Sequence, residues 1–299
     1  MKRRYIILPI VTIAVVVVVF GNWRKAAAGE RPQVSRNPFL EDKFYAISRT
    51  FNGDSSYMVK DLKTGDVVAS WDPDSAYPAA SMIKLPIVAV VFMAVQDGNI
   101  SLEEELAIER RDIAGGSGEL KTMALPRRVS VNDLLNLMIV SSDNTATNKI
   151  VSTLGMDYIN AGFNRLGLKA TVMNRKMMDF SQRGQGVDNF TSVADIVYLL
   201  EKIYKGELLS RQASEAMLAF LKAQKINDRI PRYLPQDLEI AHKTGLERGI
   251  VHDAGIVFRP DGDFIICVFT KGAKSFREAK RFIARLSLCA FAELRGTAG

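Results

Sequence analysis

Histidine and cysteine are scarce in this chain of 299 residues, with two of each, and both shortages exclude chemistry. His242 and His252 leave little material for a serine–histidine–aspartate hydrolase, which needs one histidine as its base. Cys267 and Cys289 are too few for a disulfide scaffold and too far apart for a metal-ligand pair. Each falls in an apolar run, Phe264 to Phe269 and Phe282 to Phe291, where a small buried thiol is expected. No His-Glu-x-x-His string, Gly-x-Ser-x-Gly elbow or phosphate-binding loop occurs. A zinc enzyme is therefore not expected. Glutamate is also missing over one long stretch, with none between Glu119 and Glu201.

The charge balance narrows the partners. The formal charge is +7, but Lys2, Arg3, Arg4, Arg24 and Lys25 lie in the first 29 residues without any acid, which leaves +2 for the rest. That is too little for a nucleic-acid footprint. With 47% apolar residues the chain has ample material for a large core.

At the amino terminus, Lys2-Arg3-Arg4 precedes sixteen uncharged residues, Tyr5 to Phe20, with five consecutive valines. This is the order of an export signal. Ala26-Ala27-Ala28 offers a cleavage site, but Trp23, Arg24 and Lys25 intervene, so residues 1–23 read as an anchor, with a cleaved signal peptide as the alternative. The positive-inside rule places the remainder outside the membrane, on the periplasmic or extracellular face. Residues 24–42, with Pro32 and Pro38, read as a linker.

From residue 43 the pattern is α+β. Short strand-like runs, Phe44 to Phe51, Tyr57 to Asp61 and Val67 to Trp71, come first, the last two flanking a turn at Leu62-Lys63-Thr64-Gly65-Asp66. A long helix begins near Ser81, and the middle is helical: Val131 to Val140, Asn144 to Leu154, Met156 to Leu166, Ser192 to Tyr204 and Ser210 to Ala223. Strands return at Leu238 to Thr244, Ile250 to Phe258 and Asp263 to Thr270, and a helix, Phe276 to Arg295, closes the chain. The pattern implies one antiparallel sheet built from both chain ends and flanked by helices (43–78 and 236–296), with a helical lobe (79–235) inserted.

Three short strings carry the candidate chemistry. Ser81-Met82-Ile83-Lys84 places a hydroxyl and an amine one turn apart on a helix, where a lysine made less basic by burial or a nearby cation can take the serine proton. The string alone arises about once by chance in a chain this long. Ser142-Asp143-Asn144 lies at a helix-to-helix junction, where such residues commonly cap. Lys243-Thr244-Gly245 ends a strand, where glycine permits close approach. Lys63-Thr64-Gly65 repeats its letters in a turn, and turn propensity accounts for it.

Taken jointly and in this order, the three strings resemble the penicillin-recognising serine enzymes, and within them the class A β-lactamase-like family. The resemblance spans Phe44 to Leu294 and implies a β-lactamase/transpeptidase-like fold acting as a monomer on a β-lactam or D-alanyl-D-alanine-type substrate. It implies Ser81 as the acylated nucleophile, Lys84 as its proton acceptor, Ser142 as the relay to the departing nitrogen, and Lys243 beside Ser142. Lys243 and Thr244 would bind the substrate carboxylate, Asn144 would hydrogen-bond Lys84 and the acylamino group, and no metal or organic cofactor would be needed. The oxyanion hole would use the backbone N–H groups of Ser81 and of Leu246, after Gly245.

One departure stands out. Where the family carries a glutamate that activates the deacylating water, the matching stretch Arg175-Lys176-Met177-Met178-Asp179-Phe180-Ser181 has Met177. A thioether cannot abstract a proton. Asp179 could substitute only if the loop is rebuilt, an ordinary solvated carboxylate being the alternative; the resemblance implies that Arg175 pins the loop to Asp188, with a plain surface pair as the alternative. A β-lactam hydrolase with impaired deacylation is the favoured reading. A D-alanyl-D-alanine peptidase of peptidoglycan and a non-turnover penicillin sensor are the alternatives.

Overall fold

The computed structural model describes residues 38–294, so the expected anchor and most of the linker lie outside the described residues. Among the described residues no helix is long and apolar enough to cross a membrane.

The order begins with helix α1 (Pro38–Ser48) and the hairpin β1 (Asp54–Asp61) and β2 (Val67–Trp71). After β3 (Tyr77–Pro78), a single 3-10 turn, Ala80–Ile83, leads into α2 (Lys84–Gln96). Next come β4 (Glu105–Ile108), β5 (Arg127–Ser130), α3 (Val131–Val140), α4 (Asn144–Leu154) and α5 (Met156–Arg165). The short α6 (Phe180–Gly184), β6 (Phe190–Thr191), α7 (Val193–Tyr204) and α8 (Arg211–Lys222) complete the inserted lobe. The chain then returns through β7 (Ile240–Glu247), β8 (Ile250–Val257), β9 (Phe264–Lys271) and α9 (Phe276–Glu293).

Strands from both ends make one antiparallel sheet in the order β2-β1-β9-β8-β7, with Met58 of β1 opposite Cys267 of β9. Each face covers a core. On one side α1 and α9 bury Leu40, Phe44, Val59, Ile266, Phe282 and Leu286, and Phe51 stacks on Phe282 with ring centroids 4.5 Å apart. On the other side the inserted lobe packs against Ala254, Ile265 and Cys267. Cys267 and Cys289 are free thiols that pack into different cores.

The lobe's central helix is α2, whose residues Lys84 to Ala94 are all buried. A helix apolar on every side must be enclosed, and its only charge is Lys84, at the end facing the sheet. Serine caps set the ends of its neighbours: Ser130, Ser192 and Ser210 accept from the backbone N–H of Asp133, Asp195 and Ala213. The lobe is helical save for two short ribbons, β3 with β6 and β4 with β5.

Two expectations need correcting. Residues 38–48 are helical, so the linker ends before residue 38 and Phe44 does not open a strand. Pro38 suits the first helical position, and Leu40, Phe44 and Ile47 share a stripe facing the core of α9, a 4-3 spacing that aromatic content obscured. Lys243-Thr244-Gly245 lies inside β7 rather than at its end, because the ladder to β8 continues to the pair Glu247 and Ile250.

Candidate active site

Lys84, Ser142, Asn144 and Lys243 converge on one point. Lys84 Nζ lies 2.6 Å from the Ser142 carbonyl oxygen, 2.8 Å from Asn144 Oδ1 and 3.1 Å from Ser142 Oγ. Lys243 Nζ lies 3.0 Å from the same Ser142 Oγ and donates to the Thr244 carbonyl at 2.7 Å. Residues 58 and 101 positions away thus reach one hydroxyl. Both lysines are fully buried.

Three elements deliver these groups. Lys84 heads α2, directly after the turn that carries Ser81. Met82 of that turn packs on β7: a Cβ added to Gly245 would stand 3.2 Å from Met82 Cγ and from the Cβ of His252. A larger residue there would have to push Met82 and His252 back by a few tenths of an ångström. Asp143 caps α4 through Ala146 N–H, and its other oxygen accepts from Glu119 and Leu120 N–H, fixing the loop ahead of it. The capping reading of this string is realised at Asp143, and its neighbours Ser142 and Asn144 stand beside the two lysines. Its cost falls on Ser142, which adopts the left-handed conformation (φ 56°), as does Ala80 before Ser81 (φ 44°). Non-glycine residues hold such angles only where the surroundings enforce them, often at functional sites.

Burial holds Lys84 well below the usual lysine range, and the neighbouring charge of Lys243 acts in the same direction, against Asp143. Burial, then Arg229, pushes Lys243 down to about 7, while Asp253 acts the other way. Thr244 is buried beside Lys243, and the Leu246 side chain points into solvent at the same strand edge.

Several residues escaped sequence reasoning. Arg229 is 1% exposed, and its Nε lacks a hydrogen-bond partner. Asp253, on β8 opposite Thr244, accepts from Ile230 N–H at 3.0 Å and contacts His242 Nδ1 at 2.9 Å. Only the strand register gathers these charges, so no local pattern marks them. Asn148 had a signal, since it follows Asn144 by one helical turn. Its side chain clamps Met177, accepting from the N–H at 2.8 Å and donating to the carbonyl at 3.0 Å.

The loop after α5 is pinned as expected, with one addition. Arg175 Nη2 lies 2.7 Å from Asp188 Oδ1, but also 3.2 Å from Glu247 at the end of β7, where Arg183 joins at 2.8 Å. Arg175 is 3% exposed, so this is no surface pair. Met177 is half-buried against the helical core. Asp179 caps α6, its Oδ1 accepting from Gln182 N–H at 3.1 Å. Among the described residues no group of three His, Cys, Asp or Glu side chains is placed to hold a metal ion.

A serine turn leads into a buried lysine, and the edge strand beside it offers a second buried lysine to a shared hydroxyl. Residues 39–294 match the model of the beta-lactamase enzyme family, and the chain belongs to that family. Its fold is that of the class A β-lactamases. It is similar to the extended-spectrum beta-lactamase PER-1 of Pseudomonas aeruginosa, at 26% identity over 254 residues covering 75% of this chain and 80% of that one. Among solved structures it resembles a beta-lactamase from Sphaerobacter thermophilus, at 27% identity and a TM-score of 0.78, covering 86% and 97% of the two chains. It also resembles a leucine-to-glutamate variant of PBP-A, solved as an acyl-enzyme complex with penicillin G, at 30% identity and a TM-score of 0.78, covering 89% and 99%.

Proposed function

We propose that this protein is an exported serine acyl-transfer enzyme of the class A β-lactamase type, acylated at Ser81 by β-lactams and slow to hydrolyse the adduct. The observation that carries this reading is the pair of buried amines on the Ser142 hydroxyl. The Ser142 carbonyl and Asn144 Oδ1 can only accept, so each takes one N–H of Lys84. A neutral amine has two such protons, and its lone pair is left to accept from a hydroxyl. Ser81 Oγ attacks the lactam carbonyl while its proton passes to Lys84. As the ring C–N bond breaks, the nitrogen takes the Ser142 proton, which Lys84 replaces across 3.1 Å. Protonated Lys243, with Thr244, binds the substrate carboxylate, and the N–H groups of Ser81 and Leu246 face the oxyanion. Asn144 binds the acylamino group.

Deacylation has no matching device. Met177 occupies the base position, and the Asp179 carboxylate is engaged in capping α6. This favours a second reading, a D-alanyl-D-alanine peptidase. A departing D-alanine leaves its side of the acyl-enzyme open to water or an amine, whereas an opened β-lactam keeps its leaving group tethered there.

The test is to incubate the protein with a penicillin and follow ring opening together with protein mass. A one-to-one adduct with slow turnover is expected. Ser81→Ala abolishes the adduct; survival of the adduct in that variant removes the assigned nucleophile. Release of D-alanine from a stem-peptide analogue selects the peptidase. Cell fractionation tests export, with membrane-bound protein expected if residues 1–23 anchor the chain.

A further inference from the structure

Beside Asn144 a cleft of about 380 Å³ opens between residues 111–115, one face of α4 and residues 176–179. Its volume is that of a small-ligand site. It meets the acyl-transfer site through two groups. The Gly115 carbonyl, on the cleft wall, accepts from Asn144 Nδ2 at 2.9 Å. Met178 also lines the cleft, and its thioether lies over Gly116: a Cβ there would stand 3.0 Å from Met178 Sδ and 2.8 Å from Asn144 Nδ2. Asn144, to which the proposed function assigns the acyl amide, thus stands against the cleft wall, with Met178 at the rim between them.

The walls are built and charged. Met178 is held in the left-handed conformation (φ 65°), between the Asn148 clamp on Met177 and the Asp179 cap. Ala114 N–H donates to Thr145 Oγ1 at 2.9 Å, fixing the opposite wall to α4. Three cations, Arg111, Lys149 and Lys176, face two acids, Asp112 and Asp179. Lys149 is paired with Asp112 at 3.5 Å, and Arg111 turns to Glu109 outside the cleft. Lys176 has no acidic partner among the described residues; its ammonium donates to the Ser152 hydroxyl at 2.7 Å.

We propose that this cleft is an acyl side-chain subsite that selects acyl donors carrying a carboxylate beyond the amide, with Lys176 as its counter-ion and Met178 as the ridge that steers the substituent. The proposal rests on acylation at Ser81.

The test compares acylation rates for three penicillins that differ only in the side chain: α-carboxybenzyl, benzyl and α-aminobenzyl. The anionic one is expected to react fastest relative to its neutral counterpart, by about three- to fivefold, what a partly exposed ion pair is worth. The advantage shrinks as salt is raised. Lys176→Met, at an exposed position, brings the anion-to-neutral ratio close to one, and Lys176→Glu moves it below one. An acyl-D-alanyl-D-alanine peptide with a free side-chain carboxylate should likewise outcompete its amide. A ratio of one in the unmodified protein, or a ratio unmoved by either substitution, overturns the subsite and leaves Ser81 acylation standing. No adduct with any of the compounds overturns both.

Discussion

At the residue scale the proposed chemistry turns on two buried amines, both held below the usual lysine range, that share one hydroxyl. Replacing Lys84 by methionine retains much of the bulk but removes the proton acceptor and leaves the Ser142 carbonyl and Asn144 Oδ1 without a donor. Acylation should fall by about a hundredfold or more, measured as the rate of adduct formation. A stability loss of about 1–3 kcal/mol for each unpaired group should show in denaturant melts. Since Lys243 releases its proton at about 7, acylation efficiency should decline above pH 7 as the site loses the cation that binds the substrate carboxylate. It should also decline on the acid side, where Lys84 becomes protonated and ceases to be a base. The two amines share a hydroxyl, so the limbs report the pair. Met177→Glu should shorten the lifetime of the penicillin adduct at least about tenfold, the usual worth of a positioned general base being larger still. The Asn148 clamp holds the backbone at position 177 without reference to its side chain. An unchanged lifetime would show that the loop cannot present a base.

Elements determine where those residues stand, and the loop from Arg175 to Asp188 shows how. Arg175 is buried between Asp188 and Glu247, tying the loop to the last residue of the strand that carries Lys243. Arg175→Met should cost up to about 3 kcal/mol in chemical denaturation, because Asp188 and Glu247 lose their buried partner and keep only Arg183. It should also loosen Met177 and Met178 and blur any discrimination among penicillin side chains. Helix ends were legible in the sequence because a cap is a local event: Ser130, Ser192 and Ser210 each bond a backbone N–H three residues on. The start of the fold was less so. Helix α1 is amphipathic only weakly over eleven residues, and Phe39 and Tyr45 on its solvent side imitate a strand.

Over the whole molecule, buried ionisable groups tie stability to pH. His252 is held by burial at about 4 against 6.5 when exposed, and Lys243 at about 7 against 10.5. Within each interval the unfolded chain binds more protons than the folded one, so stability rises with pH. Tyr57 and Tyr204, pushed up to about 12 from 10.0, reverse the trend once the unfolded tyrosines ionise. Burial also raises Cys289 from 9.0 to about 11 and Cys267 well above 9.0, so the thermal midpoint should climb from pH 4 to about 9, level off and then fall as the unfolded tyrosines ionise. A maximum near neutrality would mean that Lys243 keeps its proton in the folded state.

Order along the chain was enough to establish the α+β pattern, the three strings and the missing loop glutamate, since periodicity, caps and turns act over a few residues. Which of two Lys-Thr-Gly strings mattered could be argued from context: one lies in a tight turn, with Gly65 at φ 79°, and the other lies in β7. Charge inside the site was decided by folding alone. Arg229 and Asp253 act on Lys243 through a buried loop and strand register, His242 meets Asp253, and Glu247 reaches Arg175 across 72 positions. Contacts of that range depend on the dense enclosure of polar groups away from water, and such enclosure exists only once the sheet and the helical lobe have closed on one another.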